Sequence, residues 1–517
     1  MTSELPRPTL AKIVATIGPA SESPEMVRRL ITAGVRVFRF NFSHGLPEDH
    51  ENRLAVVRAA ADELDMPVAV LGDLPGPKIR VGKVADPGIE LATGDEVLID
   101  PGAPASRAAS GGGPTILSCT LAQLATDVEP GHKVLINDGA IRLLALERVA
   151  GATGAALSCR VIVGGLVTSG KGINLPMSNL NVPAMTERDW RWAEWAVNKG
   201  VDFLALSFVR SADEILRLKD YLASVCSVRK EVDASGAPAS IPVIAKMEKP
   251  QAVEAMESIC EAADGIMVAR GDLGVEIDLA MVPVVQKRLI ACADSWGKPC
   301  IVATQMLETM TTSAIPTRAE ASDVANAIFD GADAVMLSGE TAIGKHPTLV
   351  VETMRRIIMA AEERMAEGIQ HASPPRRAVE IRYRTAALAH AAWHAARDFG
   401  AVAVATWSQS GGAARYLAQT GFGVPILAYS SSQTQTRRMA LQKGVFAIRM
   451  NPPPPNGGPG ELADWNAAVD RDLIKRGIAK EGDAIVLVAG RPLGVRNVTN
   501  CVALHRVGDR ASGFMAF

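Results

Sequence analysis

The sequence predicts an α/β protein: a parallel (β/α)8 barrel with an inserted small β-barrel lid domain and a C-terminal open α/β domain. Three observations carry that expectation. Eight short β-branched apolar runs alternate with amphipathic helical patterns. After the third run, residues 75–176 switch to a period-two texture broken by Gly and Pro. Beyond a polar, proline-bearing segment the strand and helix alternation resumes.

The barrel strands are expected at KIVATIG (12–18), VRVFRFNFSH (35–44), VAVLGDL (68–74), VDFLALSF (201–208), IPVIAKME (241–248), GIMVARGD (265–272), PCIVATQM (299–306) and AVMLSGE (334–340). Helical patterns such as SPEMVRRLITAG, EDHENRLAVVRAAADELD and KPQAVEAMESICEAA lie between them. A closed parallel barrel keeps its functional groups at the C-terminal ends of its strands. Those ends carry Arg39, Asn41, Ser43, Asp73, Lys246, Glu248, Arg270, Asp272, Thr304, Ser338 and Glu340. The insert shows DEVLID, GHKVLINDGAIRLLAL and ALSCRVIVGGLV, antiparallel in texture, and leaves and rejoins the same rim as a lid would. The expected domains are therefore barrel 1–74 and 177–367, lid 75–176, and C-terminal regulatory domain 368–517. GIQHASPPRRA (368–378) reads as a linker, and NPPPPNGGPG (451–460) as a mobile surface loop without chemistry.

With 517 residues, 48% of them hydrophobic, the chain can bury one large core and two smaller ones. Its 54 Lys and Arg balance 56 Asp and Glu, so no electrostatic footprint for nucleic acid or anionic membrane exists. The N-terminal stretch lacks an apolar signal-like region, and no apolar run approaches bilayer length; a soluble, cytoplasmic protein is expected. Seven scattered cysteines without two-residue spacing suggest neither disulfides nor a thiolate metal site.

The stretch VIAKMEKP (243–250) carries the chemistry. Residues two apart on a strand share a face, so Lys246 and Glu248 project together at the strand's end. Alone, such a pair reads equally as a structural ion pair or a functional one. One strand further, MVARGDLG supplies Asp272. Two carboxylates with room for water suit Mg2+, a hard cation that keeps much of its hydration. A lysine beside such a metal suits phosphoryl transfer, and Arg39 and Arg80 add planar donors for phosphate.

NFSHG (41–45), VIAKMEKPQAV, MVARGDLGVEI, IVATQMLETM, PTRAEASDVANAIFDGADAVMLSGETA and KGINLP together identify a resemblance to the pyruvate kinases over nearly the whole chain. That resemblance implies transfer of phosphate from phosphoenolpyruvate to ADP with Mg2+, for which Mn2+ substitutes, in a homotetramer. Within it, Lys246 resembles the lysine that stabilises the phosphoryl group in transit, Glu248 and Asp272 the metal ligands, and Arg39 and Arg80 the phosphate-binding arginines. Gly271 and Asp272 with Thr304 resemble the carboxylate-binding end of the substrate site, with Thr304 near the route by which the enolate is protonated. Asn41, Ser43 and His44 match the nucleotide side and the monovalent-cation site, and Lys171 the lid lysine that reaches nucleotide phosphates.

Two departures from the family pattern stand out. In GDLPGPKIR, Leu74 and Lys78 replace the Thr and Glu typical of K+-requiring members. A fixed ammonium at Lys78 could balance Asp73 in place of K+, so K+-independence is expected; an exposed loop lysine is the alternative. SQSGGAA (408–414) resembles an effector-phosphate turn, with Ser408, Ser410, Gly411 and Gly412 as candidates, although Ala413 replaces a hydroxyl. His390 and His394 lie four apart on a helix without a third ligand, and Trp190, Trp192 and Trp195 are expected to pack on the barrel. A Mg2+-dependent lyase and a non-catalytic metabolite sensor are the rival readings of this scaffold.

Overall fold

A computed structural model describes residues 9–110, 113–178, 182–228, 240–366, 380, 383–452, 461–491, 493 and 498–515. The expected linker, and the expected 451–460 loop beyond its first two residues, lie outside these.

Eight strands close into one parallel barrel: Lys12–Thr16, Val35–Asn41, Ala69–Leu74, Phe203–Leu206, Val243–Met247, Gly265–Ala269, Cys300–Ala303 and Ala334–Leu337. Each pairs with its neighbours in chain order, and the first closes on the eighth with Lys12 opposite Ala334. Their continuous apolar character follows from burial on both faces. Val14, Val37, Leu71, Ala205, Ile244 and Met267 fill the interior, while alternate residues pack outward under the helices. The expected strands run past the observed ends because the chain turns there. Phe208, Thr304 and Gln305 adopt positive φ values of 57°, 68° and 54°, and Arg270 already opens a helix, Arg270–Glu276. The helix expected over KPQAVEAMESICEAA breaks in two at Ala255.

Period two now has a direct consequence. Inward positions Val14, Val37, Leu71, Ala205 and Ile244 are each followed, two residues on, by Thr16, Arg39, Asp73, Ser207 and Lys246. On these five strands the top layer of the barrel interior is therefore polar, and the layer directly beneath it is apolar.

The insert folds round its own apolar core as a six-stranded and a two-stranded sheet. Arg80 bridges Gly172 beside one edge strand of the larger sheet, and Val81 bridges Cys119 beside the other, so that sheet is all but closed into a small barrel. The third region is an open five-stranded sheet, parallel except for its edge strand Thr499–Arg506. It seats against the barrel floor: Ala440 and Leu441 join the inner cluster, Lys12 Nζ donates to the Val445 carbonyl oxygen at 2.9 Å, and Gln419 Nε2 donates to Asp333 Oδ1 at 2.9 Å.

Helix Glu187–Lys199 is fixed by a Thr186–Asp189 capping box and ends at left-handed Gly200. Its Trp192 stacks on Phe42 with centroids 4.3 Å apart, and Trp195 meets the same ring edge-on. Trp190 packs on Tyr221. The tryptophans therefore pack as expected. Among the described residues, six of the seven cysteines are buried and none forms a disulfide.

Candidate active site

The polar top layer is a connected charge cluster. Arg39 Nε donates to Asp73 Oδ2 at 2.7 Å, and its Nη1 donates to Thr16 Oγ1 at 3.1 Å. Lys246 Nζ lies 3.4 Å from Asp73 Oδ1 and 3.5 Å from Glu248 Oε2, and donates to Ser207 Oγ at 2.7 Å. The strand geometry thus brings Lys246 and Glu248 together, and closure of the barrel adds Asp73 and Arg39.

These neighbours set the protonation states. Burial pushes the Asp73 carboxyl up, but Lys246 and Arg39 outweigh it and hold it below the usual range. Burial likewise pulls the Lys246 ammonium down, while Asp73, Glu248 and Asp272 together hold it above its usual value. Glu248 differs: burial raises it, nearby Asp272 raises it further, and Lys246 only partly compensates. The lysine stays charged, and Glu248 is a carboxylate in search of positive charge.

Glu248 Oε1 accepts from the Phe208 N–H at 2.6 Å, whereas the buried Oε2 has no hydrogen-bond partner. An orphaned, buried carboxylate oxygen near a second carboxylate fits a cation that completes its shell with water and substrate oxygens. Among the described residues no cluster of three or more His, Cys, Asp and Glu forms. His390 and His394 instead face each other, Nε2 to Nε2 at 3.1 Å.

Thr304 sits at the seventh strand's end, where its left-handed backbone aims Oγ1 at the start of helix Arg270–Glu276. That oxygen accepts from the Gly271 N–H at 2.7 Å and donates to the Ala303 carbonyl oxygen at 2.6 Å. Arg270 is structural: it is buried, with Nη1 on Asp323 Oδ1 at 2.7 Å and Nη2 on the Thr304 carbonyl oxygen at 2.8 Å. Glu340 spends both oxygens on the N–H groups of Ser338 and Leu307.

Beside the cluster, a cavity of about 600 Å³ opens between insert and barrel, with Lys78, Arg80, Lys171, Arg210 and Lys249 on its walls and Asp272 at its edge. Lys246 and Glu248 do not line it, so Asp272 is the residue common to cavity and charge cluster. Arg80 Nη1 holds the Gly170 carbonyl oxygen at 2.8 Å. Asn41 ends the second strand and Ser43 and His44 lie in the turn after it, with the Ser43 N–H on Asn41 Oδ1 at 3.1 Å and His44 exposed. Lys78 is exposed on the cavity wall; the cations within ion-pair distance of Asp73 are Arg39 and Lys246. Leu74 is fully buried.

In the third domain, Ser408 to Gly412 form the turn into helix Gly412–Ala418, with Gly411 at φ 80° and buried Ser408 Oγ accepting from the Ala414 N–H at 3.2 Å. Sequence reasoning missed Thr16, Ser207 and the Phe208 N–H. The first two could have been found by carrying the inward period of two to each strand's end; the third depends on a positive-φ turn that no motif announces.

Comparison with known families agrees with this geometry. The family model described as pyruvate kinase, barrel domain, matches residues 9–351, and that described as pyruvate kinase, alpha/beta domain, matches residues 386–505. Pyruvate kinase of Mycobacterium tuberculosis is 41% identical over 498 residues, covering 96% of this chain and 98% of its own. That of Corynebacterium glutamicum is 40% identical over 503 residues, with the same coverage. That of Geobacillus stearothermophilus is 39% identical over 502 residues, covering 96% of this chain and 80% of its own. A closed barrel with a lysine and two carboxylates at its mouth, matched on such terms from end to end, leaves one conclusion: the chain belongs to the pyruvate kinase family.

Proposed function

We propose that this protein transfers the phosphoryl group of phosphoenolpyruvate to ADP, yielding pyruvate and ATP, with Mg2+ or Mn2+ held by Glu248 and Asp272. The observation that carries this reading is the buried Lys246 ammonium, 3.5 Å from a Glu248 oxygen that has no hydrogen-bond partner. When bound, the divalent ion supplies positive charge to the phosphoryl oxygens and orients them. Lys246 adds a second, fixed charge to the same oxygens as negative charge spreads over them. Arg39, anchored through Asp73 and Thr16, presents its guanidinium at the rim for the phosphate of the donor. Backbone at Gly271 and Asp272, beside Thr304, receives the substrate carboxylate, for which the Gly271 N–H exchanges its bond to Thr304 Oγ1. The Thr304 hydroxyl proton is committed to the Ala303 carbonyl oxygen, which favours a water molecule as immediate proton donor to the enolate.

On this reading residues 75–176 act as a lid, bringing Arg80 and Lys171 onto the nucleotide phosphates opposite Asn41 and His44, and excluding water from the transfer. The enzyme works without K+: Leu74 offers no side-chain oxygen ligand, and Lys78 contributes a fixed positive charge beside Asn41, Ser43 and Asp73 when the lid closes. The Ser408–Gly412 turn takes a phosphorylated effector, and the protein is a cytoplasmic homotetramer. A lactate-dehydrogenase-coupled rate measurement with phosphoenolpyruvate and ADP tests the reaction. Run in tetramethylammonium chloride and in KCl, it also tests the cation: equal rates support K+-independence, and strong activation by K+ overturns it.

A further inference from the structure

Both stems of the insert end on groups that set the two metal-binding carboxylates. On the returning stem, Asn174 Nδ2 donates to Glu276 Oε1 at 2.9 Å, and Lys249 Nζ donates to the same oxygen at 2.7 Å. Glu276 is the last residue of the short helix whose first turn carries Asp272, and Lys249 directly follows Glu248. The Glu276 side chain is only 2% exposed, and its Oε2 is buried without a hydrogen-bond partner. On the outgoing stem, Gly76 holds φ 65° and lies so close to the Phe208 ring that a Cβ would come within 2.7 Å of it. The Phe208 N–H is the hydrogen bond on Glu248 Oε1, and the Lys249 ammonium lies 5.4 Å from the same ring.

We infer that Glu276 is a positioning residue that couples lid position to the metal site, with Asn174 as the lid's contact on it. The inference rests on the assignment of Glu248 and Asp272 as metal ligands. A donor from the lid on Glu276 Oε1 holds the helix that bears Asp272, and the shared Lys249 ties that helix to the Glu248 turn. Withdrawing the lid removes one of the two donors to a buried carboxylate and loosens both ligands together. Linkage then requires the converse: an ion bound by the carboxylates favours the lid position in which Asn174 reaches Glu276.

The test uses Mn2+ alone, without substrates, on the full-length chain. Mn2+ affinity is read from the free-ion electron paramagnetic resonance signal, and lid position from amide hydrogen exchange at residues 171–175. In the parent protein, Mn2+ slows exchange in this stem. In Asn174→Ala the slowing is lost, and affinity falls about tenfold, as for other residues that orient metal ligands. Asn174→Asp, which sets a carboxylate against Glu276, falls further. Glu276→Ala, which removes the acceptor shared by Asn174 and Lys249, likewise uncouples exchange from Mn2+. Asp272→Asn is the control. If it loses Mn2+ binding while both Asn174 variants behave as the parent, the coupling is wrong and the metal assignment stands. If Asp272→Asn binds Mn2+ as the parent does, the metal assignment fails and the coupling with it.

Discussion

Replacing Lys246 by Met removes a buried charge while keeping most of the side chain's volume. At an effective dielectric of about 20, a unit charge about 4 Å from a developing negative charge contributes about 4 kcal/mol. Lys246 already sits 3.4 and 3.5 Å from the two carboxylates it now balances, so a phosphoryl oxygen entering the same site meets a comparable field. If that field acts mainly on the transition state, kcat falls about 10³-fold while KM changes little. The coupled lactate-dehydrogenase assay measures both. A second signature follows from Glu248, whose carboxyl burial raises and Lys246 restrains. Without Lys246 the carboxyl rises further, so acidification protonates it sooner and Mn2+ binding is lost at a higher pH than in the parent. A kcat within tenfold of the parent, or an unmoved pH profile of Mn2+ binding, refutes the reasoning.

Three further outcomes are expected. Lys78→Glu restores the carboxylate typical of K+-requiring relatives, and coupled assays in KCl against tetramethylammonium chloride show activation of the variant by K+ but not of the parent. Trp192→Ala removes the ring stacked on Phe42 and destabilises the barrel by about 3–5 kcal/mol, read from urea denaturation followed by circular dichroism. Burial lowers the Lys12 ammonium from its usual 10.5 to about 7, so between those values the unfolded chain binds more protons than the folded one. Stability therefore rises with pH across that window and, as pH drops, falls until it levels off below about 7, where both states carry the proton; in Lys12→Met that slope flattens, as urea denaturation at several pH values will show.

Much of the barrel was legible because each strand is buried on both faces and reads as an apolar run. All eight strands lie inside the segments expected for them. The pairing of Lys246 with Glu248 was legible too, since it depends only on local strand geometry. Contacts between strands were not. Asp73 meets Lys246 across the barrel mouth because closure places the third and fifth strands' ends together, and no local pattern encodes that distance. The position of Lys78 was not legible either. Sequence proximity set it beside Asp73, but after Leu74 the left-handed Gly76, between Pro75 and Pro77, carries the chain out of the barrel and leaves Lys78 facing the cavity. Glu276 carried no signal because its partners lie 27 and 102 positions away.

The first barrel strand is a strut between two remote places. Its N-terminal residue, Lys12, grips the third domain through Val445, and its C-terminal residue, Thr16, braces the guanidinium of Arg39. Five residues of extended chain separate floor from mouth. A ligand that shifts the Val445 segment would press directly on the rod that steadies Arg39, so a signal from the far domain would need no long relay to be felt at the barrel mouth.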